Sequence, residues 1–510
     1  MTLREVVDGQ AGLPVPNPTK SYWHQTPSQK LLGHRTTSEL PSVADIVVVG
    51  SGLSGSFAAH FLKNGKAKDK NVLMLEAREA CWGATGRNGG HCQPMVYGST
   101  PNVAAFELET YSFLMNLIAE NNIPCHWRTV PGVHVCLTQD VFDAASAAVE
   151  RLKEHHPELA AQCEVVAPSA SAEDERSRRA QGRSTLVSLR VPHAKGAVVQ
   201  EHAASVWPYK LVSWVLEQLL DKFPTPSFNL QTNTPVTALL REDDGTWLLR
   251  TPRGPVRAKT VLLCTNAYTS RLLPAFADLI VPVRGQVAAL VPPRGADGAP
   301  AQLNHSYVTL GHPNSEEVQN EYLVQRPLPT GEHILGGGRN VADGGAVGVW
   351  HDDEIEEPVA RWLRTHLTPP LDLRPGDSGQ GGSIGTQEEL PATFEWTGIM
   401  GYSRDHHAYI GAVPESLGGG GEAGGLWVCA GYSGHGMPAA PLSARAVVRL
   451  MTRESSTAVD GSVGLPRQFL LTEERVKRAR ERFETIQERQ THAFSALLSD
   501  FAELSAEETD

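Results

Sequence analysis

The chain has 510 residues, with 45 Lys and Arg against 57 Asp and Glu, a formal net charge of −12 and 41% hydrophobic residues. This length exceeds one ordinary core and points to one large or two interleaved domains, and the apolar content is that of a globular protein rather than a disordered one. The acidic balance argues against nucleic acid or an anionic membrane as partner, and no run approaches the ~20 apolar residues of a membrane span.

The start, MTLREVVDGQAGLPV, lacks the basic-then-apolar order of a secretory signal. The seven cysteines, Cys81, Cys92, Cys125, Cys136, Cys163, Cys264 and Cys429, form no C-x-x-C pair. They read as reduced, mostly core thiols, and a cytoplasmic location is expected. Residues 1–40 are polar and dotted with proline. They read either as an arm laid over the body, with Ser21-Tyr22-Trp23 as its anchor, or as a frayed terminus.

The most informative stretch follows. Ile46 to Val49 is a short β-branched run, the mark of a buried parallel strand. Gly50, Gly52 and Gly55 then stand at G-x-G-x-x-G spacing, with Ser51, Leu53 and Ser54 between them. Phe57, Ala58, Phe61 and Leu62 recur at helical spacing. A second apolar run ends in Glu76, about twenty residues past the last glycine, where a dinucleotide fingerprint keeps its ribose-binding acid. The first glycine permits the turn, the second lets backbone approach a pyrophosphate, and the third lets helix and strand pack closely. The pyrophosphate would sit on the helix N-terminus.

Cys81 to His91 contains Gly83, Gly86, Gly89 and Gly90, a loop whose backbone can approach a flat ligand. Helices are predicted over 102–122, 141–155, 210–220 and 441–451, and strands over 130–137, 260–268, 280–290, 322–327, 333–339 and 426–430. Residues 169–184 lack periodicity and read as a solvated loop. Residues 352–366 read as a helix whose acids face solvent. Residues 473–504 read as one long helix with a broken apolar stripe, either docked on the body or used in a homodimer. Gly431 to Met437 lies between the last buried strand and a helix, which places a second helix N-terminus where negative charge can be stabilised.

Five stretches occur in order: the fingerprint, GATGRNGGH, CTNAYT, WTGIMGYSRDHHAYIG and AGYSGHGM. Together they resemble the D-amino-acid-oxidase-like family of FAD-dependent oxidases, and within it the gamma-glutamylputrescine-oxidase type. The resemblance implies an α/β fold, a Rossmann-like FAD-binding domain with a second, mixed β-sheet substrate domain. It implies segments 41–100, 195–275 and 395–455 for FAD, 101–194 and 276–394 for substrate, and a C-terminal helical segment over 456–510. It implies FAD rather than NAD, which the fingerprint alone leaves open.

Carried over by position, Gly50 to Gly55 would hold the pyrophosphate, and Glu76 with Ala77 and Arg78 the adenosine side. Val236 would meet the adenine. Ala84, Thr85, Gly86, Arg87, Asn88, Gly89, Gly90 and His91 would run along the isoalloxazine. Thr265, Asn266 and Ala267 would border it, and Gly434, His435, Gly436 and Met437 would sit at its N1–C2=O edge. His91, Tyr402 and His435 are the expected catalytic residues, and Met400 with Tyr402 the substrate contacts.

The resemblance also has departures. Met400 stands where amino-acid oxidases often place a carboxylate-binding arginine, and a thioether cannot form that bidentate pair. An amine with an apolar or distant polar tail is therefore favoured. Gly398 stands where sarcosine-oxidase-like members attach FAD through cysteine, so non-covalent FAD is expected, with a bond from His91 in the flavin loop left open. The lysine linked to oxygen activation has no counterpart in 333–339. The expected reaction is oxidation of a small-molecule amine to an imine and then a carbonyl, with oxygen reduced to hydrogen peroxide. Another electron acceptor, or a flavin protein without oxidase activity, stays open. No metal motif is present, since His406 and His407 are adjacent rather than one helical turn apart.

Overall fold

The computed structural model describes residues 9–296, 298–312, 315–368, 370–374, 389–453 and 464–486. The run around Ile46 forms strand Val43–Val49, its last four residues buried. It lies inside an eight-stranded sheet ordered Tyr409–Ala412, Leu426–Ala430, Gly254–Leu263, Val43–Val49, Val72–Leu75, Phe228–Gln231. The last five of these strands pair in parallel. A hairpin, Ala238–Arg241 and Trp247–Thr251, pairs antiparallel with the start of Gly254–Leu263.

Alternate residues of the central strand serve two cores. Ile46 and Val48 pack with the helices Leu53–Asn64, Pro208–Lys222 and Ala440–Met451. Val47 and Val49 pack with Trp247, Phe276 and Val476 on the other face. Burial on both faces is why such strands read as unbroken apolar runs.

A second, nine-stranded sheet is ordered Ala392–Ser403, Ile280–Leu290, His333–Gly337, Ser315–Gln325, Ser306–His312, Arg128–Cys136, Gly196–Ser205, His91–Cys92, with Cys163–Val166 also on Gly196–Ser205. Only the pair Ser306–His312 and Arg128–Cys136 is parallel. The fold is thus α/β, with a Rossmann-like parallel sheet and a mixed second sheet.

Several expectations change. Strands Gly196–Ser205 and Ala392–Ser403, expected within nucleotide-binding segments, pair in the second sheet. Residues 169–184 contain helix Ala172–Ala180, capped by the Ser171 side chain accepting from Asp174 N–H. None of its residues is buried; acids in the first turn and arginines in the last stabilise it instead, which is why no apolar period shows. Asp352 is not on a solvated helical face: the helix runs Glu357–Thr365, and Asp352 is fully buried before it.

The C-terminal helix spans Glu473–Arg482, and extended backbone at Phe483 ends it; 487–510 and 454–463 lie outside the described residues. Val476 and Ala479 pack into the body, and Arg475 pairs with Asp405 at 2.8 Å. The arm from residue 9 onward lies on the body, with Trp23 fully buried. No helix among the described residues is long and apolar enough to cross a membrane.

Candidate active site

Strand Val43–Val49 delivers its glycine turn directly to a large cavity. Gly50 has φ +104, and a Cβ there would lie 2.6 Å from the Cys264 carbonyl oxygen. A Cβ on Gly55 would lie 1.9 Å from the Gly50 carbonyl oxygen, so the third glycine is what lets helix Leu53–Asn64 close onto its strand. The first N–H groups of that helix have no partners within it; that of Leu53 donates to Thr85 Oγ1 at 3.0 Å. Glu76 accepts from Ser51 N–H (3.0 Å) and Ser51 Oγ–H (2.7 Å) on one oxygen, and from Arg78 N–H (2.9 Å) on the other. The acid therefore braces the turn as well as lining the cavity.

The loop after Glu76 is held by buried charge. Arg78 Nη1 donates to both oxygens of Asp352 at 2.9 and 3.0 Å, and Arg87 Nε lies 3.1 Å from the same carboxylate. Burial opposes charge on both arginines. Asp352 outweighs it at Arg78, whose pKa is raised, whereas Arg87, with the smaller share and Arg78 nearby, is lowered to about 10. Both stay cationic at neutral pH. The arm completes the clamp: Ser21 Oγ–H donates to Gly86 O (2.8 Å) and Trp23 Nε1–H to Asn88 O (2.5 Å). A Cβ on Gly86 would strike Cys81 O and His24; one on Gly90 would strike Val206 O and Trp23.

The cavity, about 1100 Å³, runs from this turn to the second sheet. It lies just above the ~300–1,000 Å³ range of small-molecule and cofactor sites. Gly55, Gly86 and Gly90 stand behind its wall; every other site residue named from the sequence lines it, including Val236, Thr265 to Ala267 and Gly434 to Met437. Asn266 also accepts from Gly431 N–H through its side-chain oxygen at 3.0 Å, tying two strand ends together.

At the far end, strand Ala392–Ser403 presents Gly398, Met400 and Tyr402 to the cavity. A Cβ on Gly398 would lie 2.9 Å from Arg87 Cβ, so this position has no room for a larger side chain. Tyr402 Oη accepts from Arg339 Nη1 at 2.8 Å. His91 Nε2 is 2.9 Å from Ser306 Oγ, and its ring stacks on Tyr322. Burial, with His134 and His435 nearby, lowers the His91 pKa to about 3. His91 is therefore neutral and cannot accept a proton from an ammonium group at neutral pH.

His134 is neutral as well, lowered to about 3 by burial and by His435. Gln200 Oε1 accepts from Val96 N–H (2.8 Å), which turns the amide nitrogen toward His134 Nε2 (3.1 Å). The ring proton is thereby assigned to Nδ1, donating to Tyr97 Oη (2.7 Å). His435 is the exception. Burial works against its charge, but Glu107, 3.1 Å from Nε2, outweighs it and the pKa is raised. His407, by contrast, is lowered to about 4 by burial, and His406 adopts a left-handed turn conformation.

Sequence reasoning missed Glu107, His134, Glu321, Tyr322, Arg339 and Asp352. One signal was present: Glu107 interrupts the apolar stripe Val103, Tyr111, Leu114, Ile118 of helix Pro101–Glu120. Glu321 comes from within strand Ser315–Gln325 and Arg339 from just past the end of its neighbour His333–Gly337, which no local pattern links.

Comparison with known proteins places this architecture. The family model described as FAD dependent oxidoreductase, DAO, matches residues 45–450, and the chain belongs to that family. No curated protein sequence matches. Among solved structures, glycine oxidase from Geobacillus kaustophilus is similar in fold (TM-score 0.61, 17% identity, 85% of this chain and 99% of that one). So are L-amino acid deaminase from Proteus vulgaris (0.59, 16%, 88% and 99%) and L-proline dehydrogenase from P. horikoshii (0.57, 17%, 82% and 96%). The protein is thus an FAD-dependent oxidoreductase. Its residues fit the cofactor: the turn needs glycine at Gly50 and Gly55, and one cavity of about 1100 Å³ runs from that turn to the second sheet.

Proposed function

We propose that this protein oxidises the C–N bond of a small-molecule amine with non-covalently held FAD, in the manner of the gamma-glutamylputrescine-oxidase type. The observation that carries the reading is the single cavity joining the dinucleotide turn to a second-sheet wall of Tyr322, Met400, Tyr402 and neutral His91. Gly50 to Ser54 and Glu76 would hold the ADP half, and Arg87 to Gly89 and Gly434 to Met437 the flavin half. Bound FAD supplies two-electron oxidation of the amine to an imine and return of the electrons to an acceptor. Water then hydrolyses the imine to a carbonyl.

The chain's own contribution is placement and charge. Tyr402, held by Arg339, and Met400 form the wall against which the substrate lies. His91, fixed by Ser306, orients without transferring a proton. Burial disfavours the ammonium form, and so does the imidazole of His435, whose hold on its proton Glu107 strengthens; only the neutral amine can be oxidised. Non-covalent attachment is supported by the packing of Gly398 on Arg87.

The acceptor has two readings. Oxygen, giving hydrogen peroxide, follows the resemblance. An alternative acceptor is favoured by one observation: among the described residues no lysine lines the cavity. Anaerobic addition of a panel of primary and secondary amines tests the function. Bleaching of the flavin band is expected, and its absence across the panel refutes the reading. Admitting air and measuring peroxide, against reduction of an artificial dye, separates the two acceptors.

A further inference from the structure

Three imidazoles, His91, His134 and His435, gather at the flavin end of the cavity, and only one has a carboxylate beside it. Glu107 projects from the second turn of helix Pro101–Glu120, 3% exposed, and its Oε2 accepts from Met95 N–H at 2.8 Å while lying 3.1 Å from His435 Nε2. Its position is therefore fixed from two sides. His435 is fixed by its turn: Ser433 and Gly434 both have positive φ, and His435 N–H donates to Tyr432 O at 2.8 Å. Its side chain keeps 37% of its surface open, on the cavity it lines.

The groups facing it are Glu107 from the helix, His91 from strand His91–Cys92 and His134 from strand Arg128–Cys136. Glu107 brings the sole negative charge among them, and a charge on His435 disfavours one on either other ring. The cluster thus pairs one cation with one anion, and the cation is the partner open to the cavity: the His435 side chain is 37% exposed against 4% for that of Glu107.

We propose that Glu107 is a positioning residue that holds His435 as an imidazolium against the N1–C2=O edge of bound flavin, so that the negative charge gained there on reduction is stabilised by this dyad. The proposal rests on the proposed function and on the placement of Gly434 to Met437 at that edge of the flavin, which the resemblance implies. It assigns to a helix outside every sequence motif a direct influence on how readily the cofactor is reduced. Preorganised charge of this kind needs no rearrangement at the moment of reaction.

The test is the midpoint potential of the flavin in the purified holoenzyme, measured by chemical reduction against a reference dye from pH 6 to 9, in wild type, Glu107→Gln, His435→Gln and the double variant. No amine is used, so a protein that oxidises none can still pass, and the amine panel fails or succeeds separately. Glu107→Gln is expected to shift the oxidised–reduced equilibrium at least tenfold toward oxidised at neutral pH, about 30 mV for a two-electron couple. It is also expected to move the pH-dependent break to lower pH. His435→Gln should lower the potential similarly and abolish that break, and the double variant should match it.

An unchanged potential in His435→Gln overturns the proposal. So does a Glu107→Gln effect that persists undiminished in the His435→Gln background, which would mark Glu107 as merely structural. Should Glu107→Gln fail to fold or retain FAD, the His435→Gln potential and its pH profile decide. A protein that takes up no FAD overturns both this proposal and the function beneath it.

Discussion

Asp352→Asn isolates the charge that holds the flavin loop. Asn has nearly the volume of Asp and keeps one acceptor, so the substitution opens no cavity. What it removes is the carboxylate that pairs with two buried guanidiniums: the Asp352 side chain is 1% exposed, that of Arg78 4% and that of Arg87 0%. The group goes from a net charge of about +1 to about +2 in a low-dielectric setting. Breaking a buried pair by removing one partner costs about 3–5 kcal/mol, or roughly a hundredfold to several thousandfold in the folding equilibrium at ~1.4 kcal/mol per tenfold. Because Arg78 and Arg87 flank the loop expected along the flavin, FAD release should accelerate as well. Urea unfolding with the slope compared between variants, and flavin fluorescence on dilution, measure the two effects. The control is Glu242→Gln, whose pair with Arg257 has side chains 27% and 51% exposed and is screened by solvent, so that its loss should be far smaller. An Asp352→Asn loss no larger than the control refutes the argument.

Gly55→Ala should lose FAD and about 1–3 kcal/mol of stability, because its Cβ would overlap the Gly50 carbonyl oxygen at 1.9 Å; wild-type flavin content and stability would contradict this. Asp405→Asn should cost about 3–5 kcal/mol at pH 7 by stranding buried Arg475. Burial pushes the Asp405 pKa up, but Arg475 outweighs it and the pKa is lowered. The stabilisation is therefore full above about pH 4, the unfolded value, and is lost as pH falls through the depressed folded value. The difference between wild type and variant in urea should shrink below pH 4, and a constant difference would sink the assignment. Acid precipitation of the wild type should release all flavin into the supernatant. Gly398→Cys should destabilise by about 1–3 kcal/mol through contact with Arg87 Cβ; flavin retained in the wild-type pellet would refute non-covalent binding.

The parallel sheet was legible because its information is local. A strand buried on both faces must be apolar throughout, a turn at φ +104 must be glycine, and both signals lie within a few residues at Ile46 to Gly55. Helix Ala172–Ala180 was not legible by the same reasoning, because its stability comes from a cap and from charge at its ends rather than from a buried stripe. The second sheet was legible only in part. Its strands are recognisable singly, but the pairing of Gly196–Ser205 with Arg128–Cys136 and of Ala392–Ser403 with Ile280–Leu290 joins segments far apart in the chain. The acids divided similarly. Glu107 was visible as a charge on an apolar helix face, whereas nothing near Asp352 announces the two arginines some 270 residues earlier that bury it.

The substrate end shows why a single substituted position is a weak guide to ligand charge. Met400 supplies no guanidinium, and from that alone a carboxylate-bearing amine is disfavoured. The cavity nevertheless contains a guanidinium from another strand end: after His333–Gly337 the chain turns at Gly338, φ +69, and Arg339 enters with its guanidinium carbon 4.8 Å from the centre of the Tyr402 ring and Nη1 on Tyr402 Oη. Glu321, whose carboxyl burial pushes up in pKa, lines the same wall with its oxygens on Thr309 Oγ1 and Trp362 Nε1. A ligand responds to charge at a point in space and not to the strand that delivers it. The complementarity of this site is therefore set jointly by Arg339, Glu321 and His435: a guanidinium, an acid of weakened ionisation and an imidazole whose pKa Glu107 raises. An anionic group on the substrate is compatible with that balance, so Met400 by itself does not decide the charge of the substrate's tail.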